Sequence, residues 1–108
     1  MLPKNKRTLE VYKTAGAEMR LYKTLGAKLL TDISRVLSAA DQDILMRAMN
    51  KIDTVCSRAE ENMFRDWPDL SAEHIDVFYG AVCCDRKNDV DAEMVQRARK
   101  AADDLFHA

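Results

Sequence analysis

An all-α fold, a bundle of about four helices, is predicted by three observations. Apolar or small residues recur without a break at Tyr12, Ala15, Met19, Tyr22, Gly26, Leu29, Ile33 and Val36, a 3-4-3-4 spacing that an α-helix gathers onto one face. A second series follows at Leu45, Met49, Ile52, Cys56, Ala59 and Met63, widened by Ile44, Ala48 and Val55. Only three Gly and two Pro interrupt a chain that is 47% hydrophobic and 32% charged, a balance that suits helices and excludes a disordered or fibrous protein.

In chain order, residues 1–6 carry positive charge with no apolar run behind it, and read as a flexible N-terminal arm on a single domain spanning 1–108. The first helix is expected over about 8–37, roughly 45 Å long. Gly16 and Gly26 fall inside it. A mid-helix Gly costs about 1 kcal/mol relative to Ala, so each signals close approach by another element. The segment Val11-Tyr-Lys-Thr-Ala-Gly-Ala recurs as Leu21-Tyr-Lys-Thr-Leu-Gly-Ala. A ten-residue step leaves the copies about 80° apart around the helix, so they do not form one repeated surface.

Ser38, with Asp41 three residues later, has the form of an N-cap for a second helix over about 39–65. The pairs Asp43–Arg47 and Glu61–Arg65 support its outer side. So short a connection folds the two long helices back as an antiparallel hairpin. Trp67-Pro68 stops the run, because Pro lacks a donor and disfavours helix at the residue before it. Ser71-Ala-Glu-His opens a third helix, expected over about 72–84 with Ile75, Phe78, Tyr79 and Val82 on one face. A fourth is expected over about 90–106, with Met94, Ala98, Ala101 or Ala102, and Leu105 inward. Stacked end to end, the short helices cover the first helix. Side by side, they leave about half of the hairpin bare, and a bare seam attracts a second copy of the chain. A homodimer is therefore expected, associating through Tyr12, Ala15, Met19, Tyr22 and Gly26.

The net charge of -1 conceals a polarity. Residues 1–35 hold eight Lys or Arg against three acids, and the rest hold nine against fifteen. Either the two parts attract one another within the fold or they present two surfaces to partners. The candidate surfaces are a basic stripe on the first helix, Lys6, Arg7, Lys13, Arg20 and Lys28, continued by Arg35, and an acidic group of Asp85, Asp89, Asp91 and Glu93.

Chemical motifs are weak. Asp85-Arg-Lys-Asn-Asp-Val-Asp-Ala-Glu looks like a calcium loop, but has Lys87 at its third position, Val90 where the turn needs Gly and Gln96 where a bidentate Glu belongs. An N-terminal cluster of helix-stabilising acids explains it better. Cys83, Cys84 and His74 lack zinc-ligand spacing, and His107 is too near the end to serve a Cys/His nucleophile pair. No catalytic residue, metal or cofactor is expected, and the chain is not expected to be an enzyme. No apolar run is long enough for a membrane, and three cysteines including an adjacent pair do not make a disulfide framework. A soluble, cytoplasmic protein follows. The expected function is binding another protein, as an adaptor, subunit or small inhibitor or regulator, a type frequent among phage and mobile-element products. The alternative is a nucleic-acid-associated accessory factor using the basic face. A near-neutral pI and the absence of helix-turn-helix spacing weigh against it.

Overall fold

A computed structural model describes residues 1–80, 82 and 86–107. Among these residues every regular element is helical. A short 3-10 turn at Lys4–Lys6 precedes α1 (Leu9–Ile33), α2 (Ala39–Asp66), a second 3-10 turn at Ala72–His74, and α3 (Asp89–His107). The expected hairpin is present. α1 and α2 run antiparallel, crossing where the Met49 side chain lies over Gly26 and where Lys23 Nζ meets Asp53 Oδ1 at 2.7 Å.

Both hairpin helices start on the side-chain caps that polar residues provide. Thr8 accepts from the Val11 amide and Ser38 from the Asp41 amide, each at 3.2 Å. α1 stops at Ile33, four residues before the expected end. Gln42 reaches back to donate to the carbonyls of Ser34 and Leu37 at 3.2 and 3.0 Å, which satisfies acceptors that the helix would have used. α3 is capped by Asn88, whose Oδ1 accepts from the Asp91 amide at 2.8 Å.

Among the described residues the third α-helix expected over about 72–84 is not formed, and three α-helices are present there rather than about four. After Ser71 the backbone makes a succession of i to i+3 bonds, among them His74 to Ser71, Val77 to His74 and Tyr79 to Asp76. Three residues per turn then align His74, Val77 and Gly80. His74, Val77 and Phe78 are buried while Ile75, expected inward, is exposed. A tertiary contact competes with the helix here: Arg20 donates to the carbonyls of Asp76 and Val77 at 2.5 and 3.1 Å. Cys83, Cys84 and Asp85, at the end of that expected helix, lie outside the described residues.

The core sits at one end. It joins Tyr12 and Ala17 of α1, Cys56 and Met63 of α2, Val77 and Phe78 of the connecting segment, and Met94 and Ala98 of α3. α3 does not extend along the hairpin. It lies beside the first half of α1, and no residue between 21 and 55 is buried. The molecule is accordingly elongated, with a radius of gyration of 15.3 Å and a longest extent of 47 Å. A compact chain of this length would have a radius near 13 Å.

Candidate interaction surface

The face of α1 that α3 covers is the one with small residues beside the basic stripe. Gly16 leaves room for Val77, since a Cβ there would lie 2.6 Å from Val77 Cγ1 and 2.8 Å from its carbonyl oxygen. Gly80 does the same for the Arg20 guanidinium, which occupies the place of a Cβ. The 3-4-3-4 seam predicts a covered face that the structure places elsewhere on α1. A heptad-like spacing drifts about 20° per seven residues against a straight helix, so the seam turns about 60° between Tyr12 and Ile33. Its two ends therefore meet different surroundings.

The charge polarity is satisfied largely within the fold. Arg7 Nε lies 2.6 Å from Asp66 Oδ2, Lys13 Nζ 2.8 Å from Glu93 Oε1, and Arg20 Nη1 2.8 Å from Asp91 Oδ1. Arg20 is 1% exposed and Asp91 6%. Neither can be a partner-binding residue, which corrects the expected role of both. Removing such a pair from water is costly, and excellent geometry must offset that cost. Asp91 has it: burial opposes its charge, but the Lys87 amide and the Arg20 guanidinium outweigh burial and hold its carboxyl below the ordinary value. Asp66, bonded to Arg7 and to the Tyr12 hydroxyl at 2.5 Å, is held well below the usual carboxylate range. Burial, aided by the bond to Asp66, pushes the Tyr12 phenol up.

Of the remaining basic stripe, Lys6 is exposed and Lys28 pairs with Asp32 at 2.6 Å on the surface. Glu93 of the acidic group also accepts from Arg97, which spans to Glu10. Asp89 is exposed in the first turn of α3. The stripe and the acidic group thus meet each other, and neither stands as a continuous charged surface.

The seam residues divide similarly. Tyr12 is buried, while Met19 and Gly26 are half-buried, Gly26 beneath Met49 of its own chain. Ala15 and Tyr22 face out. They belong to a different stripe, one that α3 and the connecting segment leave uncovered. On α1 it contains Val11, Ala15, Tyr22, Leu25, Leu29 and Ile33, within an arc of about 80° at 100° per residue. On α2, Ile44, Ala48 and Val55 lie within about 40°. Both arcs are on the same side of the hairpin. Asp53 and Ser57, which meet the Tyr79 hydroxyl of the covering segment, lie about half a turn from the α2 arc. Arg20 lies about half a turn from the α1 arc.

This uncovered face is apolar and open: Tyr22 is 57% exposed, Leu25 63%, Ile44 65% and Val55 54%. Val36, in the turn beyond it, is 78% exposed. Leu25 falls outside the strict 3-4 spacing, which therefore gives no sign of it as a surface residue. The widening of the second apolar series by Ile44, Ala48 and Val55 was the available signal. An apolar arc wider than one neighbouring helix can cover needs a second neighbour.

Features suited to chemistry are sparse. One depression, about 420 Å³, is open to solvent between Lys4, Asn5, Thr8, Asp66 and Trp67. Its acidic wall, Asp66, is already committed to Arg7 and Tyr12. His74 lies 3.3 Å from both the hydroxyl and the carbonyl oxygen of Ser71. Among the described residues no three His, Cys, Asp or Glu side chains converge as a metal site, and no helix is long and apolar enough to cross a membrane. Comparisons with protein-family models, with curated proteins and with solved structures find no match.

Proposed function

We propose that this is a non-enzymatic helical protein that acts by binding another protein, as an adaptor, subunit or small regulator, through the uncovered face of the α1–α2 hairpin. The observation that carries this reading is the exposure of Tyr22, Leu25, Ile44 and Val55 on one face. A contiguous apolar surface of this size is uncommon on a monomer and characteristic of interaction sites. The core at the other end holds the hairpin in place, so the surface is preformed and ordering it on binding costs little. A cytoplasmic setting belongs to the same proposal and rests on the buried free thiol of Cys56.

The nucleic-acid alternative has less support. Arg7, Lys13 and Arg20, three of its five candidate phosphate contacts, are engaged by Asp66, Glu93 and Asp91. Duplex affinity depends on cations free to displace counterions.

The test is a pull-down from the native host, read by mass spectrometry, with the wild type and a Leu25→Glu/Leu29→Glu variant. A host protein retained by the wild type and lost by the variant is the expected result. Anisotropy with labelled duplex at about 150 mM salt is expected to show negligible binding. Micromolar duplex binding abolished by Lys13→Glu would instead make the nucleic-acid reading the leading one.

A further inference from the structure

We infer that the occupant of the uncovered hairpin face is a second copy of this chain, placed by a two-fold axis that runs along the hairpin, so that α1 of each copy lies on α2 of the other. The inference rests on the preceding reading of that face as a protein-docking surface, and names what docks.

Charge is the first argument. Within the uncovered arc of α1 the charged residue is Glu18, and on the flank of the α2 arc, about 20° and 40° beyond Ile44, lie Lys51 and Arg58. None of the three has an ion-pair partner among the described residues. This separation contrasts with the covered side, where acids and bases are already matched. One helix therefore offers an acidic site in an apolar stripe and the other offers basic ones beside its own. The crossings of Gly26 with Met49 and of Lys23 with Asp53 place Glu18 level with Arg58 along the hairpin.

A two-fold axis parallel to the helices keeps that level. It lays Glu18 against Arg58 of the second copy, twice per dimer, with Tyr22, Leu25 and Leu29 between them and the hairpin tip. Lys51 then runs its aliphatic stem along Leu25 of the second copy and carries its ammonium to the rim. An axis perpendicular to the helices would stack α1 on α1 and put Glu18 against apolar positions near Leu29, leaving its charge uncompensated. The parallel axis also makes every pair of adjacent helices antiparallel, the arrangement of an ordinary four-helix bundle.

Area is the second argument. From Val11 to Ile33 the face is about 33 Å long, and two helices packed 8–10 Å apart make it about 18 Å wide. That is roughly 600 Å² per copy and about 1,200 Å² in total, which reaches the lower bound of stable, specific interfaces.

Sedimentation equilibrium on the wild type and three sets of variants tests the proposal. The wild type is expected at twice the 12.3 kDa chain mass, reversibly, below about 100 µM. Leu25→Glu/Leu29→Glu, which alters exposed side chains, is expected to be a monomer with unchanged far-UV circular dichroism. Glu18→Arg and Arg58→Glu are each expected to raise the dimer dissociation constant about tenfold, and the double variant to bring it back towards wild type. A wild type that stays monomeric to about 100 µM overturns the inference, as does a dimer that survives Leu25→Glu/Leu29→Glu. Single charge variants that weaken the dimer without recovery in the double variant overturn the axis. The host pull-down separates the two levels. A monomer whose face still captures a host protein sinks only the second copy, and a monomer that captures nothing sinks the docking reading as well.

Discussion

Two stretches of α1 share the Tyr-Lys-Thr-x-Gly-Ala segment and meet different surroundings. In the first copy Tyr12, Gly16 and Ala17 are buried against the Asp66 carboxylate, the Val77 carbonyl and α3. In the second, Tyr22 and Ala27 are exposed, and Gly26 touches only the flexible end of Met49. Local sequence is the same, so what differs is the rotation of about 80° between copies and the reach of α3. The lesson is that identical residues acquire a role from the third partner: the first copy is clasped by one and the second is not. The clasped end is also where the buried charges and depressed carboxyls of Glu10, Asp66, Asp91 and Glu93 are found.

The largest expected contrast between the ends comes from Arg20→Met. It strips Asp91 of its partner inside the fold and leaves two carbonyls without a donor, a loss of about 3–5 kcal/mol. Urea unfolding measures it. If Arg20→Met lowers stability no more than Leu29→Ala does at the free end, the clasp is not what holds the molecule together.

The glycines come next. Gly16→Ala places a methyl against the Val77 backbone, which cannot step aside, and is expected to cost about 1–3 kcal/mol. Gly26→Ala meets only the Met49 terminus and gains helix propensity, so it is expected to be neutral or stabilising by up to about 1 kcal/mol. Equal losses at both positions, read as thermal midpoints, would erase the distinction between the copies.

The smallest effect is a pH dependence confined to the clasped end. A carboxyl whose value is lowered by folding stabilises the fold above its unfolded value, 3.8 for Asp66, and that contribution is lost as pH falls through the lower folded value. Asp66→Asn is therefore expected to be less stable than wild type at pH 7, with the gap narrowing below about pH 4. Urea midpoints at pH 7, 4 and 3 check it, and a gap independent of pH would show that Asp66 acts through packing alone.

The hairpin was legible because its signals are local: the 3-4 spacing, the cap at Ser38 and the stop at Trp67-Pro68 all act within a few residues. The fate of residues 72–80 was not, because Ser71-Ala-Glu-His does begin a helical turn, and the guanidinium that meets the Asp76 and Val77 carbonyls comes from Arg20, far away in the sequence. Propensity carries no information about a guanidinium that arrives from the first helix. The charge polarity was readable as intramolecular attraction, but not which pairs form. The seam was read as one surface, whereas its slow drift divides it into Tyr12, facing the core, and Tyr22, facing solvent. The uncovered face was foreshadowed in the width of the second apolar series and in the arithmetic of two short helices against a long hairpin.

Arg20 has a further consequence for synthesis on the ribosome. Its carbonyl partner at Val77 lies 57 residues downstream. Throughout the time in which α1 and α2 emerge and pair, its guanidinium must stay in water, and the side of α1 around Gly16 must stay open for the segment still being made. The nascent hairpin thus presents two uncovered sides, of which the later chain closes one. An Arg at this position keeps the unfinished side wetted until its partners arrive, where a Leu or Met would offer a sticky patch to every neighbouring chain on the same message.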